Sequence, residues 1–236
     1  VYATVAGGNN NNIGTNADGS AIGGGSGNDI DYDAVYATVA GGNNNNIGTN
    51  ADGSAIGGGS GNDIDYDAVY ATVAGGNNNN IGTNADYSAI GGGYGNDIGD
   101  NAQYAIVAGG RDNDIATNAS YSVIGGGYIN DIANDAQYAT VSGGYNNNIG
   151  TNADNSTICG GSANIIGSNA TYAFAAGRRA KANHQGAFVW GDSYSSGYVA
   201  STNDDSVTFR CEGGVRFLND LDTLSLAIHP ARLVVV

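Results

Sequence analysis

The chain has no methionine, one proline (Pro230), one tryptophan and four phenylalanines in 236 residues. So few bulky side chains cannot fill the core of an ordinary layered domain of this length. Two cysteines, Cys159 and Cys211, allow at most one disulfide, which an extracellular chain could form; they lie in different regions, and isolated buried thiols are the expectation. Basic residues are scarcer still. Residues 1–170 hold sixteen Asp, no Glu and a single cation, Arg111, whereas residues 171–236 hold six acids and six bases. A tract without a Lys/Arg footprint is unsuited to nucleic acid or anionic membranes. No run approaches the ~20 apolar residues of a membrane span. The only histidines, His184 and His229, have no Ser/His/Asp or metal-ligand spacing around them, so a catalytic role is not expected. No secretory signal is present, but Val1 opens in mid-pattern without a Met, so the chain reads as a segment of something longer.

What is present is repetition. Residues 1–170 are one 17-residue unit written ten times, in pairs that make a 34-residue period. Val1–Ala34 recurs letter for letter at Val35–Ala68, and the copies to Ala170 drift without gaining or losing a residue. Numbering each unit 1 to 17, position 5 is always aliphatic (Val5, Ile22, Val73, Ile90, Val107) and position 13 always Ile (Ile13, Ile30, Ile81, Ile98, Ile115). Position 17 is always Ala, position 3 is Ala or Ser, positions 7 and 8 are Gly–Gly, and position 11 is always Asn. Alternation around position 5 (Ala3 and Val5 one way, Tyr2 and Thr4 the other) is strand-like, and a second short strand surrounds position 13. Gly–Gly, Asn and Thr-Asn-Ala-Asp supply the turns between them.

The expected fold is therefore all-β: a parallel β-solenoid, or β-roll, of 17-residue coils with two short strands each. Identical residues stack at ~4.8 Å, and the position-11 Asn column forms a hydrogen-bonded ladder. Strictly periodic aliphatics argue against disorder, and the Gly/Asn content argues against helix. Two aliphatics and two small residues per coil make a thin core. With Tyr2, Tyr36 and Tyr70 stacked along one edge, the solenoid is expected to pack against copies of itself.

After Ala170 the pattern loosens. Thr171–Ala187 reads as an eleventh unit with Tyr172, Ala173, Gly177 and Ala187 in register, Arg178 in place of the second Gly and Asn183 in place of Ile. Residues 171–193 are thus expected to be a degenerate capping coil, with Phe188 and Trp190 as the plug over the open end. Residues 194–236 are expected to be a small C-terminal β segment: a polar linker, a strand pair over Ser206–Phe217 and an apolar tail from Leu221.

These features resemble a known class. Ala/Ile/Gly coils with Asn turns, followed by Gly186-Ala187-Phe188-Val189-Trp190-Gly191-Asp192-Ser193, then by Val207-Thr208-Phe209-Arg210 and Gly213-Gly214-Val215-Arg216-Phe217, are similar to the head repeats of YadA-like trimeric autotransporter adhesins. They are also similar to bacterial and phage tail-fibre-like proteins. The resemblance implies a left-handed β-roll in a homotrimeric, extracellular cell-surface or virion fibre. It also implies that the C-terminal segment is a trimerisation or stem region, and that the fibre presents or spaces a surface for a host glycan or protein. The 17-residue coils are longer than those of the adhesins.

Two ligand-binding alternatives come from the columns. Gly24–Asp29 matches the opening of the GGxGxD motif of calcium-loaded β-rolls and recurs at Gly58–Asp63 and Gly92–Asp97, making Asp29, Asp63 and Asp97 the candidate metal ligands. Against this, Ile30 falls one place early and Gly7-Gly8-Asn9-Asn10 carries no acid, while calcium takes about six to eight oxygens. Solubilising acids in a protein without a cofactor are the preferred account. Thr15, Thr49, Thr83, Thr117 and Thr151 form a column like those of ice-binding solenoids, but Tyr32, Tyr66 and Asn134 interrupt it.

Overall fold

The computed structural model describes residues 2–194 and 197–215. Short strands at positions 4–5 of each coil, from Thr4–Val5 to Val207–Arg210, form a first parallel sheet of thirteen strands among the described residues. Strands at positions 12–13, from Asn12–Ile13 to Val199–Ala200, form a second of twelve. Every strand pairs with the strands one coil away, so Thr4 lies against Ala21 and Asn12 against Asp29. Thirteen strands leave twelve spacings, which span roughly 58 Å at ~4.8 Å each. A third ladder joins the coils by single bridges at position 9, from Asn9 to Ser162. No helix is long and apolar enough to cross a membrane among the described residues.

The local chemistry explains why the strands are so short. Positions 2, 10 and 16 sit at positive φ, as in Tyr36 (59°), Asn44 (53°) and Asn50 (57°), so the chain turns at each. Position 8 admits glycine only: a Cβ on Gly25 (φ 93°) would lie 2.1 Å from the Gly42 carbonyl oxygen of the next coil. Backbone N–H groups not used within a coil donate to its neighbour, for example Ala21 N to Ala37 O at 2.9 Å.

The interior is a row of columns. Ile22, Ile30, Val73, Ile81, Ile90, Ile98, Val107 and Ile115 are buried with the position-17 alanines. Val5 is not: it is 45% exposed, and Ile13 is only partly buried, because the first described coil has a neighbour on one side alone. Asn45, buried in the position-11 column, places Nδ2 3.0 Å from Asn28 Oδ1, 3.0 Å from Gly41 O and 3.2 Å from Gly59 O. Its Oδ1 accepts the Asn62 backbone N–H at 3.1 Å. Each amide thus ties three coils together and closes its own Gly–Gly turn.

Position 3 gives the two-coil period a physical cause. In even coils it is a buried Ser: Ser20 Oγ donates to Ala34 O at 2.7 Å and accepts from Ala37 N at 2.9 Å. In odd coils it is Ala, whose N–H the preceding Ser has satisfied. Among the described residues no buried side-chain polar atom lacks a partner.

Beyond Ala170 the structure corrects the expected register. Gly161 pairs with Gly177 after an irregularity at Ile158, so Gly177 is the second glycine of its turn. Ile166 pairs with Ala182, which is buried; Ala182, not Asn183, occupies the Ile column. Phe174 pairs with Phe188, so that coil is shorter than the regular ones, and Phe188 pairs with Val207, so the next is longer.

Nor do Phe188 and Trp190 form a plug. Phe188–Gly191 is another strand of the first sheet, with Val189 fully buried and Trp190 42% exposed on the outer face. Aromatic bulk was expected to close the core, but a core this narrow accepts Val and has no room for Trp. Phe188 stacks outside on Phe174 (centroids 4.6 Å apart) and lies beside Phe209 at 5.7 Å. The solenoid therefore runs through the expected cap into residues 207–210. The apolar tail from Leu221 and the second strand expected up to Phe217 fall on residues that lie, from 216 on, outside the described ones.

Candidate binding surface

With every interior group engaged, the chemistry available to a partner lies in columns on the outside. The most continuous is at position 2. Tyr70, Tyr87, Tyr104, Tyr121 and Tyr138 stack with centroids 5.4, 5.0, 4.9 and 4.9 Å apart. All sit at φ between 56 and 61° and are about half exposed. In the two undrifted double repeats this column alternates Tyr with Gly. A Cβ on Gly19 would lie 2.6 Å from the ring of Tyr36, so each ring folds over the glycine of the preceding coil. Where Gly gives way to Tyr87 and Tyr121, the rings stack into a stripe of exposed phenols.

A second aromatic column occupies position 9. Arg111 places its guanidinium 5.4 Å from the Tyr94 ring centroid and 5.3 Å from that of Tyr128, and Tyr128 stacks on Tyr145 at 5.6 Å. The same guanidinium pairs with Asp112 at 3.1 Å.

The acids of position 12 form a third column, which contains the candidate metal ligands. Asp29, Asp63 and Asp97 each accept a hydrogen bond from an Asn of the preceding coil: Asn12 (2.8 Å), Asn46 (2.9 Å) and Asn80 (2.9 Å). These three carboxylates lie on alternate coils and are engaged with amides. Further on the alternation fails, and Asp97, Asp114 and Asp131 become register partners on consecutive coils. Burial and the two flanking carboxylates push Asp114 up to about 7. Burial also raises Asp97 and Asp131, each partly offset by an Asn hydrogen bond, from Asn80 and Asn148 respectively. The drift from Asn to Asp at 114 was visible in the sequence, but its consequence depends on the one-coil stacking distance. Among the described residues no group of three or more His, Cys, Asp or Glu is arranged to hold a metal ion.

The remaining sequence candidates separate. The threonines of position 15 are interleaved with Tyr32 and Tyr66, which are more than half exposed and break any flat face. His184 Nδ1 lies 2.7 Å from Ser201 Oγ, a bond within the late coils; His229 falls outside the described residues. Cys159 and Cys211 are both free thiols, and Cys159 is exposed where a buried thiol was expected, because it follows buried Ile158 on the outward side of its strand.

Sequence reading missed the clamp at the C-terminal end. Arg210 Nε pairs with Asp192 Oδ1 at 2.9 Å, while its terminal nitrogens donate to the carbonyls of Arg178 (3.0 Å), Tyr194 (3.1 Å) and Gly197 (3.0 Å). Asp192 also accepts the Glu212 backbone N–H at 2.8 Å, and that bond, with the Arg210 pair, holds its carboxyl below the usual range. The sequence matches no protein-family model and no curated protein.

Proposed function

We propose that this chain is a non-enzymatic segment of a homotrimeric fibre on a cell or virion surface, which presents or spaces a binding surface for a host glycan or protein. The observation that carries this reading is the exposed tyrosine stripe from Tyr70 to Tyr138 along a core only one Ile or Val thick per sheet. Stacked aromatic surface of this extent is costly to leave in water, and a slender solenoid gains stability by burying it between copies. The acidic, nearly cation-free stretch over residues 1–170 keeps such a rod soluble without drawing it to nucleic acid. The resemblance to YadA-like heads and tail fibres supports the same reading.

The test is a double variant, Tyr104→Asp with Tyr121→Asp. Two carboxylates in the stripe would repel across a threefold interface, so the oligomer is expected to dissociate while the strand signal in circular dichroism persists. An oligomer of unchanged mass in that variant would remove the stripe from the interface and with it the main support for the reading.

A further inference from the structure

Tyr32 and Tyr66 occupy position 15 of coils separated by one intervening coil, roughly 10 Å apart along the stack. Between them is a cavity of about 400 Å³, open to solvent, floored by Gly48 and lined also by Thr49, Asp31 and Asp65. The column holds no ring at Thr49, so the two tyrosines are separated by a gap that a short side chain leaves unfilled. Gly48 is buried and cannot be enlarged, since a Cβ there would lie 2.8 Å from the Tyr66 backbone nitrogen.

The molecule itself shows what fits between two tyrosines at this spacing. Tyr94 and Tyr128 are also one intervening coil apart, and the side chain between them is Arg111, its guanidinium 5.4 and 5.3 Å from the two ring centroids with a carboxylate, Asp112, at 3.1 Å. The Tyr32–Tyr66 gap has the same spacing and two carboxylates, but no cation of its own. Residues 1–110 contain eleven Asp and no Lys, Arg or His.

We infer that the Tyr32–Tyr66 gap is a binding site for a guanidinium group, supplied by an arginine side chain of a partner peptide or protein. The guanidinium lies between the two rings, over Thr49, and pairs with Asp31 or Asp65. A planar cation suits aromatic walls and a carboxylate together better than a compact ammonium does. Unrelieved charge at the site is consistent with this. Burial, with Asp63, Asp100 and Asp97 nearby, pushes Asp65 up to about 6, and burial with Asp29 and Asp63 raises Asp31. The inference deepens the reading of the solenoid as the carrier of a binding surface and rests on that part of it alone. Its failure would leave the trimer standing, because the trimer is judged by mass.

The experiment is a titration of the intact chain with N-acetyl-arginine amide, followed by nuclear magnetic resonance of the tyrosine rings. N-acetyl-citrulline amide serves as the neutral isostere. The expected result is saturable binding that perturbs Tyr32 and Tyr66, with at least ten-fold weaker binding of citrulline. Tyr66→Ala and Asp65→Asn should each weaken the arginine probe at least ten-fold, and Tyr66→Phe should retain it. Tyr66 is more than half exposed, so these variants should keep the strand signal of the parent, which circular dichroism checks. Non-saturable binding, equal binding of the two probes, or unchanged affinity in Tyr66→Ala would overturn the proposal.

Discussion

Arg210 reaches back over a whole coil to pair with Asp192 at 2.9 Å, and the same side chain also bonds the carbonyl of Arg178 two coils away. One guanidinium thereby ties three successive strands of the first sheet at the end of the described solenoid. Arg210→Ala should therefore loosen residues 188–210 and leave the Asn-laddered coils intact, since solenoid stability is a near-neighbour sum. Arg210→Lys should not rescue it, because an ammonium cannot serve acceptors fanned in several directions. Hydrogen exchange checks this: faster exchange spread evenly over all coils would contradict it. Because the Asp192 carboxyl is held low, the clamp should persist above the ordinary Asp value of 3.8 and be lost only as pH falls below it.

The Asp97–Asp114–Asp131 run sets the opposite pH dependence. Asp114 titrates near 7 in the folded chain against 3.8 for the ordinary group, so the folded state binds more protons between those values. Stability should rise as pH falls through about 7 and level off below 3.8, by on the order of 2–4 kcal/mol from Asp114. Asp114→Asn restores the Asn/Asp alternation and should stabilise the chain at pH 8 while flattening the profile. Thermal melts at pH 5 and pH 8 decide it; equal melting of the parent at both would contradict the geometry.

Core and surface columns should respond differently. Ile81 is fully buried between Ile64 and Ile98, so Ile81→Asp places an unpaired charge among them and should cost about 3–5 kcal/mol. Asp86 accepts from Val69 N at 2.9 Å and Gln103 Nε2 at 3.1 Å. Asp86→Asn keeps one acceptor and should cost less than ~1 kcal/mol. Denaturant midpoints that fell together would contradict the inward placement of position 13.

Two glycines offer a matched contrast. Gly53→Tyr adds a ring at φ 66°, near the 58° that Tyr87 adopts in the same column, and the ring it meets, that of Tyr70, can swing into the stack. Stability should change by less than ~1 kcal/mol, and near-ultraviolet circular dichroism should show a longer coupled stack. Gly25→Ala puts a methyl into the Gly42 carbonyl, which cannot move without breaking the ladder, and should cost about 3 kcal/mol or more. Similar melting of the two variants would show that position 8 tolerates a side chain.

Much of this architecture was legible because a solenoid writes its contacts into its period. Invariant Ile at position 13 and Asn at position 11 announce columns, and Ile30 and Asn28 lie in them. What failed was judged by residue type where period mattered. Phe188 and Trp190 are bulky, but strand alternation turns them outward and Val189 inward. Asn183 was misplaced because one residue is lost ahead of Gly177, and further loss before Phe188 moves Ala187 from the expected position 17 to position 3 of the next coil, where its carbonyl accepts from Phe174 N at 2.8 Å. The serine bridges, the Arg210 clamp and the gap between Tyr32 and Tyr66 depend on distances between coils, which no single unit contains.

The central claim is that this solenoid is built to pack on copies of itself, with its acids serving the turns. The mass in solution tests it most directly, measured by light scattering with and without a calcium chelator. A chain of 23.5 kDa that forms a trimer should give about 70 kDa. Asp29, Asp63 and Asp97 are engaged by Asn amides, so the chelator should change neither that mass nor the strand signal. A thermostable monomer of 23.5 kDa, or a particle that falls apart when calcium is removed, would contradict the account.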